Sequence, residues 1–310
     1  MNDPADSIDD LRSHESNAQR VICGALGPLV TLADQAILLY GRTALAVAAH
    51  SKQSPAGKVA LILTSRLAND LRVCSLLAQL GYGIQGLSIG STIVELVGAL
   101  SYVGTDDGRA SQWAKHADQR HTFPRRVSEG IEAALTSLSI FSPGTKANWE
   151  EAYSFMCTAK HGNPRLSLVN ALRVDIHGYY FGRGPDSSCF GMLVSSEALY
   201  YGIGFGMYGI HVASAHCSDY ASQTQIRAEA NRVLEALRGL EGWLSRWREA
   251  SEEELQGGLV SETRISAIAA ALTEETKRIE RETDRAKQDT DRIILETRRL
   301  REARNAKPSP

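Results

Sequence analysis

The sequence predicts an all-α protein, in which a multi-helix bundle is followed by a long C-terminal amphipathic helix. Apolar side chains recur at helical intervals along most of the chain, and proline and glycine stand at the ends of the periodic segments. Near the C-terminus the interval becomes seven residues. Of the 310 residues 43% are hydrophobic, so the chain has enough apolar side chains to build a substantial core.

These features divide the chain into five parts. We expect a disordered segment over residues 1–14, a helical bundle over 15–250, a hinge over 251–259, a long helix over 260–305 and a disordered tail over 306–310. The first of these segments is acidic and polar, which argues against a signal peptide. The hinge follows from the sequence EEELQGG, after which the composition changes.

Two helices are predicted in the first third of the chain. Ser54 can cap the first of them, Pro55 suits its first position, and Gly81 suits its end. Its apolar residues recur every four positions, at Val59, Leu63, Leu67 and Leu71. The segment GLSIGSTIVELVGALSYVG predicts a second, more deeply buried helix.

The middle of the chain continues as helices with one interruption. FPRRVSEGIEAALTSL predicts a helix with proline at its entrance, and the three glycines of DIHGYYFGRGPDSS predict a loop or a short hairpin. Residues 190–217 predict a buried helix. A stripe over residues 225–247 predicts one long amphipathic helix. The stripe consists of Ile226, Ala230, Val233, Leu237, Leu240, Leu244 and Trp247.

A seven-residue repeat predicts the long C-terminal helix. Its d positions are Ile265, Leu272, Ile279, Ala286, Ile293 and Leu300. Its a positions are Ala269, Thr276, Thr283, Thr290 and Thr297. Acidic residues at the g positions complete a coiled-coil pattern, and self-association through this helix is the favoured interpretation. The alternatives are a solvated single helix and packing of the helix on its own bundle, because threonine at a contributes little apolar burial.

The segment AYSFMCTAKHGNP predicts a corner between two helices. Gly162 can end the first helix in a left-handed conformation, and Asn163 with Pro164 can begin the next one, PRLSLVNALRV. His161 then stands at the last helical turn. It is interpreted either as a capping residue, favoured by the helix dipole when protonated, or as a functional side chain.

Glu95 is the only charged residue between Arg72 and Asp106. A buried carboxylate costs free energy unless it is paired or hydrogen-bonded. We therefore expect a partner, either Arg66 or Arg72 on the preceding antiparallel helix, or His161. Two interpretations stay open, a structural buried ion pair and a carboxylate that faces a ligand or acts as a general base.

Part of the chain resembles a group of uncharacterised bacterial all-helical proteins. The likeness rests on SRLANDLRVCSLLAQLGYGIQGLSIGSTIVELVGALSYV, a tryptophan segment and AYSFMCTAKHGNP, which together span about residues 57–165. In that group a helix containing arginine precedes one that ends in Arg-x-x-x-Glu. A Tyr-x-x-(Phe/Leu)-(Ser/Cys)-x-x-x-His motif, followed by glycine or proline, comes later.

The resemblance implies a site made of Glu95, Tyr153 and His161, with Arg66 on the first helix. Ser91 stands where the group has the arginine four residues before its glutamate, so a function that needs that arginine is not implied here. The helical architecture also suggests a distant likeness to HEPN ribonucleases, and this likeness is one of architecture alone.

HEPN ribonucleases use an arginine followed after four to six residues by a histidine. Arg109 and His116 in RASQWAKH fit this spacing. An arginine could hold the phosphate charge while a histidine moves a proton near neutral pH. The spacing is loose and is expected to occur by chance in this composition, so an exposed helix between two loops is the favoured explanation.

Composition limits the remaining function classes. The net charge of −2 gives no support to nucleic acid as a partner. Uncharged runs after Arg72 and after Glu197 are long enough to cross a bilayer, but their Gly, Ser and Gln content favours central helices of a soluble bundle. The scattered cysteines predict free thiols and a cytoplasmic location. No motif predicts a metal or a cofactor.

The sequence therefore predicts a cytoplasmic helical protein that acts as a self-association or partner-binding module. Its partner, a second copy or another protein, is expected on the C-terminal helix over residues 260–305. The alternative is a HEPN-like ribonuclease or another hydrolase. Its site would contain Arg66, Glu95, Tyr153 and His161.

Overall fold

The computed structural model confirms an all-α fold made of nine helices and one small hairpin in the part of the chain that it describes. It describes residues 7–50, 54–115, 126–161, 172–175, 178–181, 184–217 and 219–255, and single positions at 274, 277, 278 and 281. The long C-terminal helix that we expect over residues 260–305 lies outside the described residues, apart from those four positions.

The helices are numbered in the order in which they follow each other along the chain. They are α1 (Ile8–His50), α2 (Pro55–Gln79), α3 (Gly83–Val103), α4 (Asp107–Ala114), α5 (Val127–Ser137), α6 (Pro143–Lys160), α7 (Cys189–Ser214), α8 (Tyr220–Gly239) and α9 (Glu241–Leu255). Strands β1 (Leu172–Asp175) and β2 (Gly178–Phe181) lie between α6 and α7.

Helix α1 begins earlier than the sequence indicated. The backbone N–H of Asp10 donates to the Ser7 hydroxyl at 3.1 Å, and the N–H of Ser7 donates to the Asp10 carboxylate at 3.0 Å. This reciprocal cap satisfies two donors at the helix start. Residues 8–14 are therefore helical, and the expectation of disorder over residues 1–14 is wrong for them. Pro28 lies inside α1, and the helix is kinked at Leu26.

The predicted start and end of α2 are confirmed. Ser54 precedes the helix and accepts a hydrogen bond from the N–H of Gly57 at 3.1 Å, and Pro55 is the first helical residue. Gly81, with φ of 84°, makes the left-handed turn that leads into α3. The thiol of Cys74 on α2 faces the carbonyls of Gly86 and Ala198 at 3.3 and 3.4 Å.

Helix α7 is the centre of the bundle, as the uncharged run after Glu197 predicted. It packs against α1, α2, α3, α8 and α9, and most of its residues are buried. Gly209 allows close approach, because a β-carbon there would lie 3.0 Å from Val97 and 3.3 Å from Leu67. Near it, the Tyr40 hydroxyl donates to the carbonyl of Gly206 at 2.6 Å. Helix α7 therefore joins side chains from α1, α2 and α3.

The segment before α7 forms a hairpin, which is one of the two predicted forms. Strands β1 and β2 pair antiparallel, with Leu172 opposite Phe181 and Asp175 opposite Gly178. The helix predicted over PRLSLVNALRV is wrong at its C-terminal end, because residues 172–174 belong to β1. Helix α5 begins at Val127. The proline expected at its entrance lies outside the described residues.

The stripe over residues 225–247 belongs to two helices rather than one. All seven of its side chains are buried, as the periodicity predicted. Helix α8 nevertheless ends at Gly239, where the N–H of Leu240 binds carbonyls of the last turn, and α9 starts at Glu241. The stripe continues in phase across this break, so periodicity alone does not reveal it. Residues 251–255 are the end of α9 and not part of a hinge.

Two of the described helices, α1 over Ile8–Ala49 and α3, are long and apolar enough to cross a membrane by length and composition. In the apolar windows of these helices, 39% and 67% of the residues are buried inside the protein. A core helix of a soluble protein passes the same test when it is mostly covered. Helix α1 is less covered, and it leaves apolar side chains at the protein surface.

Helix α9 meets α7 at a buried carboxylate. Arg248 Nη2 donates to Glu197 Oε1 at 3.1 Å, and Glu197 is itself buried. Burial raises the pKa of Glu197, and the hydrogen bond and charge of Arg248 only partly offset this effect. The folded state therefore favours the protonated form of Glu197 more than the unfolded state does.

We expect Glu197→Gln to change how stability depends on pH. Because the folded pKa of Glu197 is raised, protonation stabilises the folded state fully below the unfolded value of 4.5. This stabilisation is lost as pH rises through the folded pKa. In urea unfolding from about pH 4 to pH 7, the wild type should therefore lose stability relative to the variant.

Glu229 on α8 provides the matched control for Glu197. Burial acts to raise the pKa of Glu229, but the bidentate pair with Arg42 lowers it overall. Its stabilisation is present above the unfolded pKa and is lost as pH falls through the folded pKa. Glu229→Gln should therefore give a pH effect of the opposite sign. Equal pH profiles for both variants would contradict the assignment of Glu197.

Candidate functional site

Glu95 lies on α3 at the edge of the core. Its neighbours Val94 and Leu96 are buried, whereas the Glu95 side chain keeps 33% of its surface exposed. Of the two interpretations of Glu95, the buried ion pair is therefore wrong, because the side chain is partly exposed to solvent. The carboxylate is accessible to solvent, so a solute could reach it.

Helix α6 supplies both partners of Glu95. The Tyr153 hydroxyl donates to Glu95 Oε1 at 2.9 Å, and Lys160 Nζ donates to the same oxygen at 2.8 Å. Tyr153 and Lys160 are seven residues apart, which places them two turns apart on one face of α6. The three side chains, with Cys157 between the two partners on α6, are called the Glu95 cluster below.

The arginines expected beside Glu95 are directed elsewhere. Arg66 Nε lies 3.6 Å from Asp70 on the same helix, and the Arg66 side chain is 61% exposed. Arg72 is exposed as well. Both arginines lie on the outward face of α2, and the prediction that either of them pairs with Glu95 is wrong.

His161 terminates α6 through its backbone. Its N–H donates to the carbonyl of Cys157 at 3.0 Å, and the side chain is exposed. Within the described residues the imidazole makes no hydrogen bond, so the prediction that His161 is the partner of Glu95 is also wrong. Gly162, Asn163 and Pro164, which complete the predicted corner, lie outside the described residues.

Tyr153 is held in its neutral form. Burial raises its pKa, and hydrogen bonds with Cys157 and Glu95 raise it further, since both neighbours favour the protonated phenol. At neutral pH this hydroxyl can therefore donate a proton in a hydrogen bond, but it cannot act as a base. The Glu95 cluster can therefore bind a polar group, with the Tyr153 hydroxyl as a hydrogen-bond donor.

Sequence reasoning found Glu95 and Tyr153 but missed Lys160 and Cys157. Lys160 could have been found from its spacing to Tyr153 and from the preference for basic residues in the last turn of a helix. The hypothesis that Arg109 and His116 form a second site is not tested, because His116 lies outside the described residues. Arg109 stacks over the Tyr102 ring at 4.0 Å and donates to its carbonyl at 3.2 Å.

Neither geometry nor comparison assigns a chemical class to the Glu95 cluster. Among the described residues, no three His, Cys, Asp or Glu side chains are placed to hold a metal ion. No protein-family model, curated protein or solved structure matches the chain. The fold and the site define an all-α helical bundle with a partly exposed ion pair between Lys160 and Glu95. The resemblance to uncharacterised bacterial helical proteins stays a prediction.

We expect the substitution Glu95→Gln to have a small effect on stability. An ion pair of this exposure contributes about 0–1 kcal/mol, rather than the ~3–5 kcal/mol lost when a buried pair is broken. A double-mutant cycle with Lys160→Met, followed by urea unfolding, measures the coupling between the two side chains. A loss above about 3 kcal/mol in Glu95→Gln alone would mean that the cluster is closed to water in solution.

Proposed function

We propose that this chain is a cytoplasmic helical protein that associates with itself or with a protein partner through its C-terminal segment. The observation that carries the proposal is the seven-residue apolar repeat over residues 265–300. The structure adds exposed apolar side chains on α1, where Leu38 is 69% and Leu45 is 74% exposed. These two leucines lie seven residues apart on one face of the helix. Exposed apolar surface of this kind is typical of a contact between proteins.

Three observations support the parts of this proposal, namely an interaction module, a reducing compartment and a contact through the C-terminal segment. In the Glu95 cluster, Tyr153 and Lys160 both donate hydrogen bonds to the Glu95 carboxylate, an arrangement common in salt bridges that only stabilise a fold. The five cysteines, which are free thiols, suit a reducing compartment. The heptad pattern over residues 265–300 then provides a segment whose apolar stripe needs a second surface.

The association can be tested with the full chain and a chain that ends at Gly257. Light scattering over a range of concentrations should show a larger particle for the full chain only. Thr→Val at the four threonine a positions should tighten the association, because each change replaces a hydroxyl at the contact with a methyl group. These positions are Thr276, Thr283, Thr290 and Thr297. The same particle size for both chains would rule out association through the C-terminal segment.

A hydrolytic function is the second candidate, and the exposure of Glu95 is the observation that favours it. A ribonuclease would be toxic when overexpressed and would degrade cellular RNA. The comparison is between wild type, Glu95→Gln and His161→Asn, each checked for folding by circular dichroism. Loss of toxicity and of RNA cleavage in both folded variants would replace our proposal by an enzyme. Intact RNA with the wild type would exclude a ribonuclease.

A further inference from the structure

The outward face of α1 carries a stripe with a seven-residue interval. Thr31, Leu38 and Leu45 are each exposed and seven residues apart, and Gly41 and Ala49 lie beside them on the same face. These five residues are called the α1 stripe. An added β-carbon at Gly41 would meet no atom within 4 Å, so this position is an open depression between the two leucines. The α1 stripe begins beyond the kink at Leu26, in the regular part of the helix.

The C-terminal segment has the interval that matches this stripe. Its d positions over residues 265–300 are also seven apart, and five of the six are Ile or Leu. Side chains in successive turns of two helices interdigitate when both carry the same interval. The sizes are complementary as well, since large side chains of the segment can fill the depression at Gly41, and the two leucines of α1 can lie against Ala and Thr.

We propose that residues 265–300 of a second copy of this chain dock on the α1 stripe, with each copy covering α1 of the other. The inference rests on the proposed self-association and names the surface that receives the segment. Pairing of two C-terminal segments with each other would bury four threonine hydroxyls from each chain in one seam. Docking on α1 instead places about half of the segment's isoleucines and leucines against Leu38 and Leu45, which are otherwise in water. These two leucines lie between the exposed charged side chains of Asp34 and Arg42.

The α1 stripe is long enough to receive about half of the segment. From Thr31 to Ala49 the helix extends about 27 Å, whereas residues 265–300 would extend about 53 Å as a helix. With a helix diameter of about 10 Å, one docked segment buries roughly 250–300 Å² on each side. Two reciprocal contacts then bury about 1,000–1,200 Å² in total, which reaches the lower range of specific interfaces. A single contact would be about half that size, which favours reciprocal docking in a two-fold dimer.

The placement can be tested by photo-crosslinking of the full chain. A benzophenone amino acid replaces Leu45, and the chain carrying it is mixed with wild-type chain labelled with ¹⁵N. Mass spectrometry should identify peptides from residues 265–300 of the labelled chain. The same probe at Ile62, an exposed position on α2, is the matched control and should not give these peptides.

Substitution tests the same contact without a probe. Leu38→Glu combined with Leu45→Glu should raise the dimer dissociation constant at least tenfold, whereas Ile62→Glu combined with Val73→Glu should change it less than twofold. All four side chains are exposed, so the helical circular dichroism should not change.

The outcomes separate the docking surface from the association itself. Crosslinks confined to one chain, crosslinks between two α1 helices, or an absence of crosslinks at Leu45 would overturn the docking surface. If light scattering still showed association that depends on the C-terminal segment, the proposed function would stand. A full chain that stays monomeric at all concentrations would refute the docking surface and self-association, and would leave only a different protein as the partner.

Discussion

Replacing Gly98 by alanine is expected to lower the free energy of unfolding by about 3 kcal/mol, near the upper end for overpacking. Gly98 on α3 faces Gly130 on α5, and an added β-carbon would lie 2.9 Å from both the carbonyl carbon and the α-carbon of Gly130. These neighbours are backbone atoms, which cannot move aside as a flexible side chain would. The contact can only be relieved by separating α3 from α5.

Gly24 provides the control for this substitution. It also lies inside a helix, and an added β-carbon there would meet no atom within 4 Å. Gly24→Ala should therefore raise stability by about 0.5–1 kcal/mol, because alanine loses less backbone entropy in a helix than glycine does. Urea unfolding of both variants measures the difference. Two variants with equal stability would contradict the close approach of α3 and α5.

Trp247→Ala is expected to cost about 3–5 kcal/mol, the range for deleting a buried tryptophan. Trp247 on α9 is fully buried, and its ring meets the ring of Trp243 edge-on with centroids 6.0 Å apart. The change would leave a large cavity between α9 and its neighbours. Thermal unfolding followed by circular dichroism measures the loss and would show that α9 belongs to the cooperative bundle.

Two comparisons make the Trp247 result specific. Trp113 on α4 is only partly buried, so Trp113→Ala should cost less than half as much. Trp247→Phe should be milder than Trp247→Ala, because it keeps most of the ring and removes an indole N–H that has no acceptor among the described residues. Losses of equal size at both tryptophans would argue against a buried α9.

The local sequence signals predicted the helices that have clear ends. Ser54, Pro55 and Gly81 define α2 because capping and turn preferences act within a few residues. The break at Leu240 was missed because the buried stripe remains in phase through it, and only Gly239 hints at an end. The helical start of α1 was missed because its cap involves Ser7 and Asp10 in a segment that is polar and acidic.

The candidate site was predicted in part for a similar reason. The isolation of Glu95 in an uncharged run showed that it needs a partner, but the partner, Lys160, is 65 residues away on another helix. Proximity along the sequence suggested Arg66 and Arg72, which lie on α2. Which side of a helix is exposed depends on the packing of the whole bundle. In α2 both arginines lie on the side exposed to solvent.

Cys74 is buried in the core, so the rate at which its thiol reacts with an alkylating reagent reports how often the bundle opens. Its thiol is enclosed between α2, α3 and α7, and burial raises its pKa to about 12, with the charge of Asp70 adding to the effect. Alkylating reagents react with thiolates, so Cys74 is protected both by lack of access and by protonation. Cys23, Cys157 and Cys217 are partly exposed and should react first. The later reaction at Cys74 then measures how often α2, α3 and α7 separate under native conditions.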